Sequence, residues 1–160
     1  MRSHRERRYE SWVSTPSQEA ERLPGWPATM SQTDSQVVLL IEDHRDTREM
    51  YAEMLHHAGF AVIEVSTAER ALRLLNAVLP DVIVTDLKMP GMGGLELIRR
   101  LREEADWKHL PVIAVAAISD STETKAHAAG CTVFLQKPCL PEAVVLAVRR
   151  VATSGHPSPR

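Results

Sequence analysis

Three short apolar runs of this chain end in charge. Residues 37–41 (VVLLI) run into Glu42-Asp43, residues 82–85 (VIVT) into Asp86, and residues 132–135 (TVFL), after one glutamine, into Lys137-Pro138. Runs of this length and composition read as strands. A carboxylate at the tip of a buried strand is costly unless something uses it, and in an open α/β sheet the carboxyl tips are where ligands bind. If these strands are adjacent and parallel, the three carboxylates gather at one edge and repel, and some stay protonated without a cation. Mg²⁺ meets that need with hard oxygen ligands, octahedral geometry and several retained waters. Lys137 adds a positive charge for one more anion. A metal, a lysine and a nucleophilic carboxylate suit phosphoryl transfer onto Asp86: metal and lysine stabilise the equatorial oxygens, and Asp86 attacks.

Each residue alone has a plainer reading. An acidic pair after a strand suits a helix N-terminus. Asp86 suits a turn, and Lys137 suits the surface. Their coincidence at three strand ends favours a shared site.

The elements that must position these residues alternate along the chain. Strand-length apolar runs fall at 37–41, 60–65, 82–85, 111–116 and 132–135. Helical periods lie between and after them. Met50, Met54, Leu55 and Ala58 share one face, opened by Asp46 with Glu49 and closed by Gly59. Ala68, Ala71, Leu72, Leu75 and Leu79 share a second, opened by Ser66 with Glu69 and stopped by Pro80. Leu97, Ile98 and Leu101 mark a third helix. A fourth, about 121–129, has only alanines as apolar residues (Ala126, Ala128, Ala129), and the last starts near Pro141 and runs through Val144, Val145, Val148 and Val151. Such alternation, with nearly continuous apolar strands, predicts a doubly wound parallel sheet with helices on both faces.

Composition narrows the function. The chain is 44% hydrophobic but only 4% aromatic, so its core must be aliphatic. A formal charge of −2 gives no electrostatic case for nucleic acid. No apolar stretch approaches the roughly 18 residues of a membrane span, and no secretory apolar region follows the N-terminal arginines, so a cytoplasmic protein without membrane association is expected. Cys131 and Cys139 are then free thiols. Residues 1–35, with four arginines near the start and polar, Pro-containing text around Trp12 and Trp26, read as a disordered extension; translation starting at Met30 is an alternative. Residues 36–152 form the folded domain and 153–160 a flexible tail.

The text LLIEDHRDTREMY, PDVIVTDLKMPGMGGLELIRRLR, LPVIAVAA and AAGCTVFLQKP resembles the receiver domain of two-component response regulators, from about Val37 to Val151. The resemblance implies a flavodoxin-like five-stranded sheet of order 2-1-3-4-5. It implies that Asp86 is the phosphoacceptor and that Asp43 ligates Mg²⁺ directly. Glu42 would act mainly through water, and Asp86 and the backbone carbonyl of Lys88 would complete the metal site. Lys137 would contact the phosphoryl group and join Pro138 through a cis peptide. Receivers usually carry Ser or Thr at the end of the fourth strand, where a hydroxyl bonds a phosphoryl oxygen and helps throw a switch. Ala116 stands there and has no donor. The nearest hydroxyls are Thr85, expected on the opposite side of its strand, and Ser119, past the fourth strand. Phe134 occupies the position of the switch aromatic on the fifth strand; with Ala116 leaving space, an inward Phe134 is expected even without phosphate.

Other candidates are weak. Gly91-Met92-Gly93-Gly94 lacks dinucleotide spacing and any following Lys-Ser/Thr. His44, His56, His57, His109 and His127 show no metal spacing, and the methionine-bearing first helix reads as core. The resemblance implies a histidine kinase or phosphotransfer protein as donor and an unidentified output protein as partner. A single-domain regulator acting by partner binding, without direct DNA binding, is the first expectation. A phosphorylation-independent interaction module of the same fold, or a receiver separated from a larger sensor protein, are the alternatives. The last helix leaves room for a weak homodimer.

Overall fold

Uninterrupted Val, Ile and Leu runs have no face suited to water, so each strand must be covered on both sides. The computed structural model describes residues 35–119 and 121–153. Its strands are β1 (Val37–Ile41), β2 (Ala61–Val65), β3 (Val82–Asp86), β4 (Val112–Ala117) and β5 (Val133–Lys137). They alternate with α1 (Arg45–His57), α2 (Ala68–Leu75), α3 (Gly94–Glu103), α4 (Thr122–Ala129) and α5 (Pro141–Thr153). Every neighbouring pair is parallel, in the order β2-β1-β3-β4-β5. The parallel, doubly wound sheet is as the strand and helix pattern predicts, and its order is the one the resemblance implies. The extension read over 1–35 and the tail over 153–160 lie almost wholly outside the described residues.

Two aliphatic layers sandwich the sheet. On one side α2, α3 and α4 cover Leu39, Ile41, Ile63, Ile83, Ala114 and Ala116. On the other, α1 and α5 cover Val38, Leu40, Val62, Val84, Ile113 and Val115. All residues of β3, Asp86 included, are buried. Val144, Val145 and Val148 of α5 face this second layer, which leaves Leu146, 60% exposed, as the outward large apolar residue of that helix.

Several local expectations change. The N-cap of α1 is His44 rather than Asp46, which lies in the first turn where its charge suits the helix dipole. Tyr51, Ala52 and Leu55 form the buried stripe of α1, while Met50 is 42% exposed. Thr67, not Ser66, caps α2, its hydroxyl accepting from the Arg70 amide at 3.2 Å. That helix stops at Leu75, so Leu79 packs on the core from the following turn. β5 runs two residues beyond its apolar text because backbone pairing continues through Ala116–Gln136 and Ala117–Lys137. Lys137 is therefore the last residue of a strand.

α4 has the weakest apolar grip, with Ala126 and Ala129 as its buried residues. Arg102 of α3 supplements it. Its Nε and Nη2 donate to the Gly130 carbonyl at 3.0 and 2.8 Å, and its Nη1 donates to the Leu110 carbonyl at 3.0 Å. Burial lowers the Arg102 pKa from its ordinary value, with Cys131 opposing the shift. Gly130, at φ +107°, ends α4 in the left-handed conformation that glycine adopts without strain. Arg102→Ala is expected to lower stability by about 2 kcal/mol, the scale of lost hydrogen bonds from a charged donor. Amide exchange should accelerate more in α4 than in α1 or α5; equal acceleration everywhere would show that Arg102 does not anchor α4 specifically.

Candidate carboxylate and lysine site

The register of the sheet converges the charged strand ends. β1 lies between β2 and β3, and β4 separates β3 from β5. Glu42 follows β1 directly, Asp86 ends β3 and Lys137 ends β5. The Lys137 Nζ spans the gap, donating to Asp86 Oδ2 at 2.9 Å and to Glu42 Oε2 at 3.2 Å. Both carboxylates are nearly sealed from solvent: Glu42 is 2% and Asp86 6% exposed. Burial acts to lower the Lys137 pKa, but the hydrogen bond and charge of Asp86, followed by those of Glu42, reverse the balance and raise it above its ordinary value.

Glu42 is the hub. Its amide donates to the Val65 carbonyl of β2 at 3.1 Å, and its own carbonyl accepts from Arg48 Nη1 at 2.8 Å. Arg48 also lies 3.6 Å from Glu64 Oε2, so one arginine of α1 ties the β1 tip to β2. Burial raises the Glu64 pKa, and Arg48 partly offsets it. The other Glu42 oxygen, Oε1, accepts from the His44 amide at 3.1 Å and lies 3.3 Å from His44 Nδ1. The same imidazole nitrogen sits 3.2 Å from Asp43 Oδ1. That distance lacks hydrogen-bond alignment, and Asp43 Oδ1 is buried without a hydrogen-bond partner.

Whether these residues suit a divalent cation turns on that orphaned oxygen. Glu42, Asp43 and His44 bring potential ligand atoms within 4.8 Å of one another. A buried carboxylate oxygen with no donor is costly, and a hard cation would satisfy it. The acidic residues fit Mg²⁺, whose preference is for oxygen ligands and retained water. The chain thus has the acidic cluster typical of a Mg²⁺ site.

The Asp86 side chain is held from its own loop as well. The Lys88 amide donates to Asp86 Oδ1 at 3.0 Å, while the Lys88 side chain is exposed. The Gly94 amide donates to the Leu87 carbonyl at 3.0 Å, folding the loop back on itself. A side chain at Gly94 would collide with the Asp86 carbonyl and come within 2.8 Å of Leu87 Cα. The Lys137–Pro138 peptide is cis. Two residues on, the Cys139 carbonyl accepts from the Tyr51 hydroxyl at 3.2 Å, fastening the segment after Lys137 to α1.

Neither neighbouring hydroxyl replaces the one absent at Ala116. Thr85 is fully buried, and its Oγ1 donates to the Asp86 carbonyl at 2.8 Å. Ser119 is exposed, and its hydroxyl is engaged with that of Thr122 at the start of α4. Ala116 is 3% exposed. Phe134 is half-buried and packs on the same layer as Ala116.

His44 and Arg48 are contributors that sequence reasoning passed over. His44 offered a signal, since it adjoins the acidic pair. Arg48 offered none, because its partners lie on two different strands. Cys131 and Cys139 are free; burial raises both thiol pKa values, so neither is primed as a nucleophile. No described helix is long and apolar enough to cross a membrane.

The chain's similarities agree with this arrangement. The family model for the response regulator receiver domain matches residues 38–149. An uncharacterized 14.6 kDa protein of Leptolyngbya boryana is 34% identical over 130 residues, 81% of this chain and 97% of that protein. The polar-differentiation response regulator DivK of Brucella ovis is 28% identical over 102 residues, 63% of this chain and 83% of DivK. The structure of the chemotaxis response regulator CheY4 of Vibrio cholerae superposes with a TM-score of 0.68 at 28% identity, covering 73% of this chain and 98% of CheY4.

Proposed function

Because this chain belongs to the response regulator receiver domain family, a signalling family rather than a class of enzymes, we propose that Asp86 accepts a phosphoryl group in two-component signalling. The donor is a phosphohistidine on a histidine kinase or phosphotransfer protein. An Asp86 carboxylate oxygen attacks phosphorus, the phosphorus–nitrogen bond breaks, and the histidine leaves with its electron pair. The product is an aspartyl phosphate.

The observation that carries this reading is the Lys137 ammonium bridging Asp86 and Glu42 beside the orphaned Asp43 oxygen. Lys137 supplies a fixed positive charge where the equatorial phosphoryl oxygens gather negative charge. Glu42, Asp43, Asp86 and the Lys88 carbonyl would hold Mg²⁺, which when bound neutralises those oxygens further. The Lys88 amide orients the Asp86 carboxylate, and the Arg48 bond to Glu42 keeps the β1 tip in place. Output runs through binding of a protein partner in the cytoplasm, without direct DNA binding.

Incubation with acetyl phosphate and Mg²⁺ should add one phosphoryl group by intact mass, and Asp86→Asn should abolish the addition. No mass change, or one that survives Asp86→Asn, would sink the phosphoacceptor assignment. Ala116 favours a second reading, in which the fold binds its partner whether or not it is phosphorylated. Partner affinity that is unchanged by a demonstrated phosphorylation would establish that reading.

A further inference from the structure

Glu69 lies in the first turn of α2, where a glutamate would ordinarily cap its own helix. Its carboxylate meets its own amide and the Thr67 side chain there, and also reaches across to the loop that follows Asp86. Oε1 accepts from the Met92 amide at 2.8 Å, a bond between residues 23 apart in sequence. Met92 is the fourth residue of the turn Met89-Pro90-Gly91-Met92. Proline second and glycine third, here with φ +73° at Gly91, are the residues of a type II turn. Such a turn is commonly closed by the fourth amide donating to the first carbonyl; here that amide goes to Glu69. The backbone is seated closely, since a Cβ added at Gly91 would stand 2.8 Å from Glu69 Oε1. The Met92 amide also holds the Glu69 carboxyl below its usual pKa.

The loop is therefore tied at both ends of its span. Near the sheet, the Lys88 amide meets Asp86 Oδ1 and the Gly94 amide meets the Leu87 carbonyl. At its tip, a carboxylate from another element takes the place of the turn's own closing bond.

We propose that Glu69 is a positioning residue for metal binding, its carboxylate clamping the tip of the 88–93 loop so that the Lys88 carbonyl is held ready for the ion. This rests on the Mg²⁺ site proposed above. Glu69 does not touch the ion. It acts through backbone order, as partners beyond the ligands do in metal sites, where their loss commonly weakens affinity by roughly 10-fold or more.

The test is titration of the full chain with MgCl₂, followed by backbone amide NMR, in four proteins: wild type, Glu69→Ala, Glu69→Gln and Asp43→Asn. Glu69→Ala should weaken Mg²⁺ binding about tenfold. Glu69→Gln keeps an oxygen acceptor for the Met92 amide and should stay within about twofold of wild type, on the premise that the hydrogen bond rather than the charge orders the loop. In metal-free buffer, Glu69→Ala should speed exchange of the Met92 amide while the strand amides stay protected. Equal losses in the Gln and Ala variants would mean that Glu69 acts by charge, which overturns the clamp. A Glu69→Ala protein with wild-type affinity overturns it too, provided Asp43→Asn loses binding. If Asp43→Asn also binds normally, the metal site itself is misassigned and the proposal falls with it.

Discussion

Gly94→Ala should lower the thermal midpoint by about 10 °C, from a loss of about 3 kcal/mol at the upper end of overpacking costs, and should remove most phosphoryl uptake. The collision is with backbone, not with a movable side chain: the added methyl would meet the Asp86 carbonyl and Leu87 Cα. Relief requires α3 to retreat from the β3 tip or the tip itself to shift. Either change moves Asp86 relative to Lys137, which reaches it from a different strand. Gly93→Ala is the internal control. Its Cβ would lie 3.3 Å from the Leu87 carbonyl, a contact that a small adjustment accommodates. Its midpoint should fall by less than half as much, and uptake should persist. Calorimetry and intact mass check both. Equal behaviour of the two variants would show that the approach of α3 to β3 is not what holds the acceptor.

Lys137→Met should cost about 3 kcal/mol in chelator, the scale of breaking a buried ion pair by removing one partner. It leaves Glu42 and Asp86, both nearly sealed, with no cation between them. Three consequences separate this from a simple packing loss. Mg²⁺ should stabilise the variant more than the wild type, because the ion then supplies the only strong counter-charge. Adding Asp86→Asn should recover much of the loss, since one of the stranded charges is gone. The pH dependence should also divide the two proteins. The folded-state pKa of Lys137 is raised above its ordinary 10.5, so its contribution is complete below pH 10.5 and is lost as the pH climbs through the folded value. Wild type should show that alkaline loss, and Lys137→Met should not. Urea titrations across pH, with and without Mg²⁺, measure all three. A deficit insensitive to both metal and pH would assign Lys137 a packing role.

Much of this site was legible because strand residues announce themselves in single runs. Val37–Ile41 and Val82–Asp86 are uninterrupted, and a doubly wound order places their tips together, so Glu42, Asp43, Asp86 and Lys137 could be grouped before any coordinates. What escaped are interactions whose partners are remote in sequence. Glu69 had the spacing of a local cap, and nothing in its neighbourhood pointed 23 residues ahead to Met92. The importance of Gly94 over Gly93 is a matter of which faces the β3 backbone, which a Gly-Gly pair does not encode. The caps of α1 and α2 each moved because several polar residues in a row compete for the position, and local geometry decides. Met50 was misplaced because a helical stripe tolerates more than one phase over four turns, and Tyr51 took the inward position.

The layer between β4 and α4 has a mechanical consequence. Its facing residues include Ala114, Ala116, Ala126 and Ala129. Large side chains interlock as ridges in grooves and hold a helix at a discrete setting. Methyl groups make shallow relief, so displacement of α4 along the sheet meets little steric resistance and forfeits little dispersion energy at each step. Arg102 then acts as a pivot at the C-terminal end of α4, while the opposite end, nearest the strand tips, is held by the local bonds between Ser119 and Thr122.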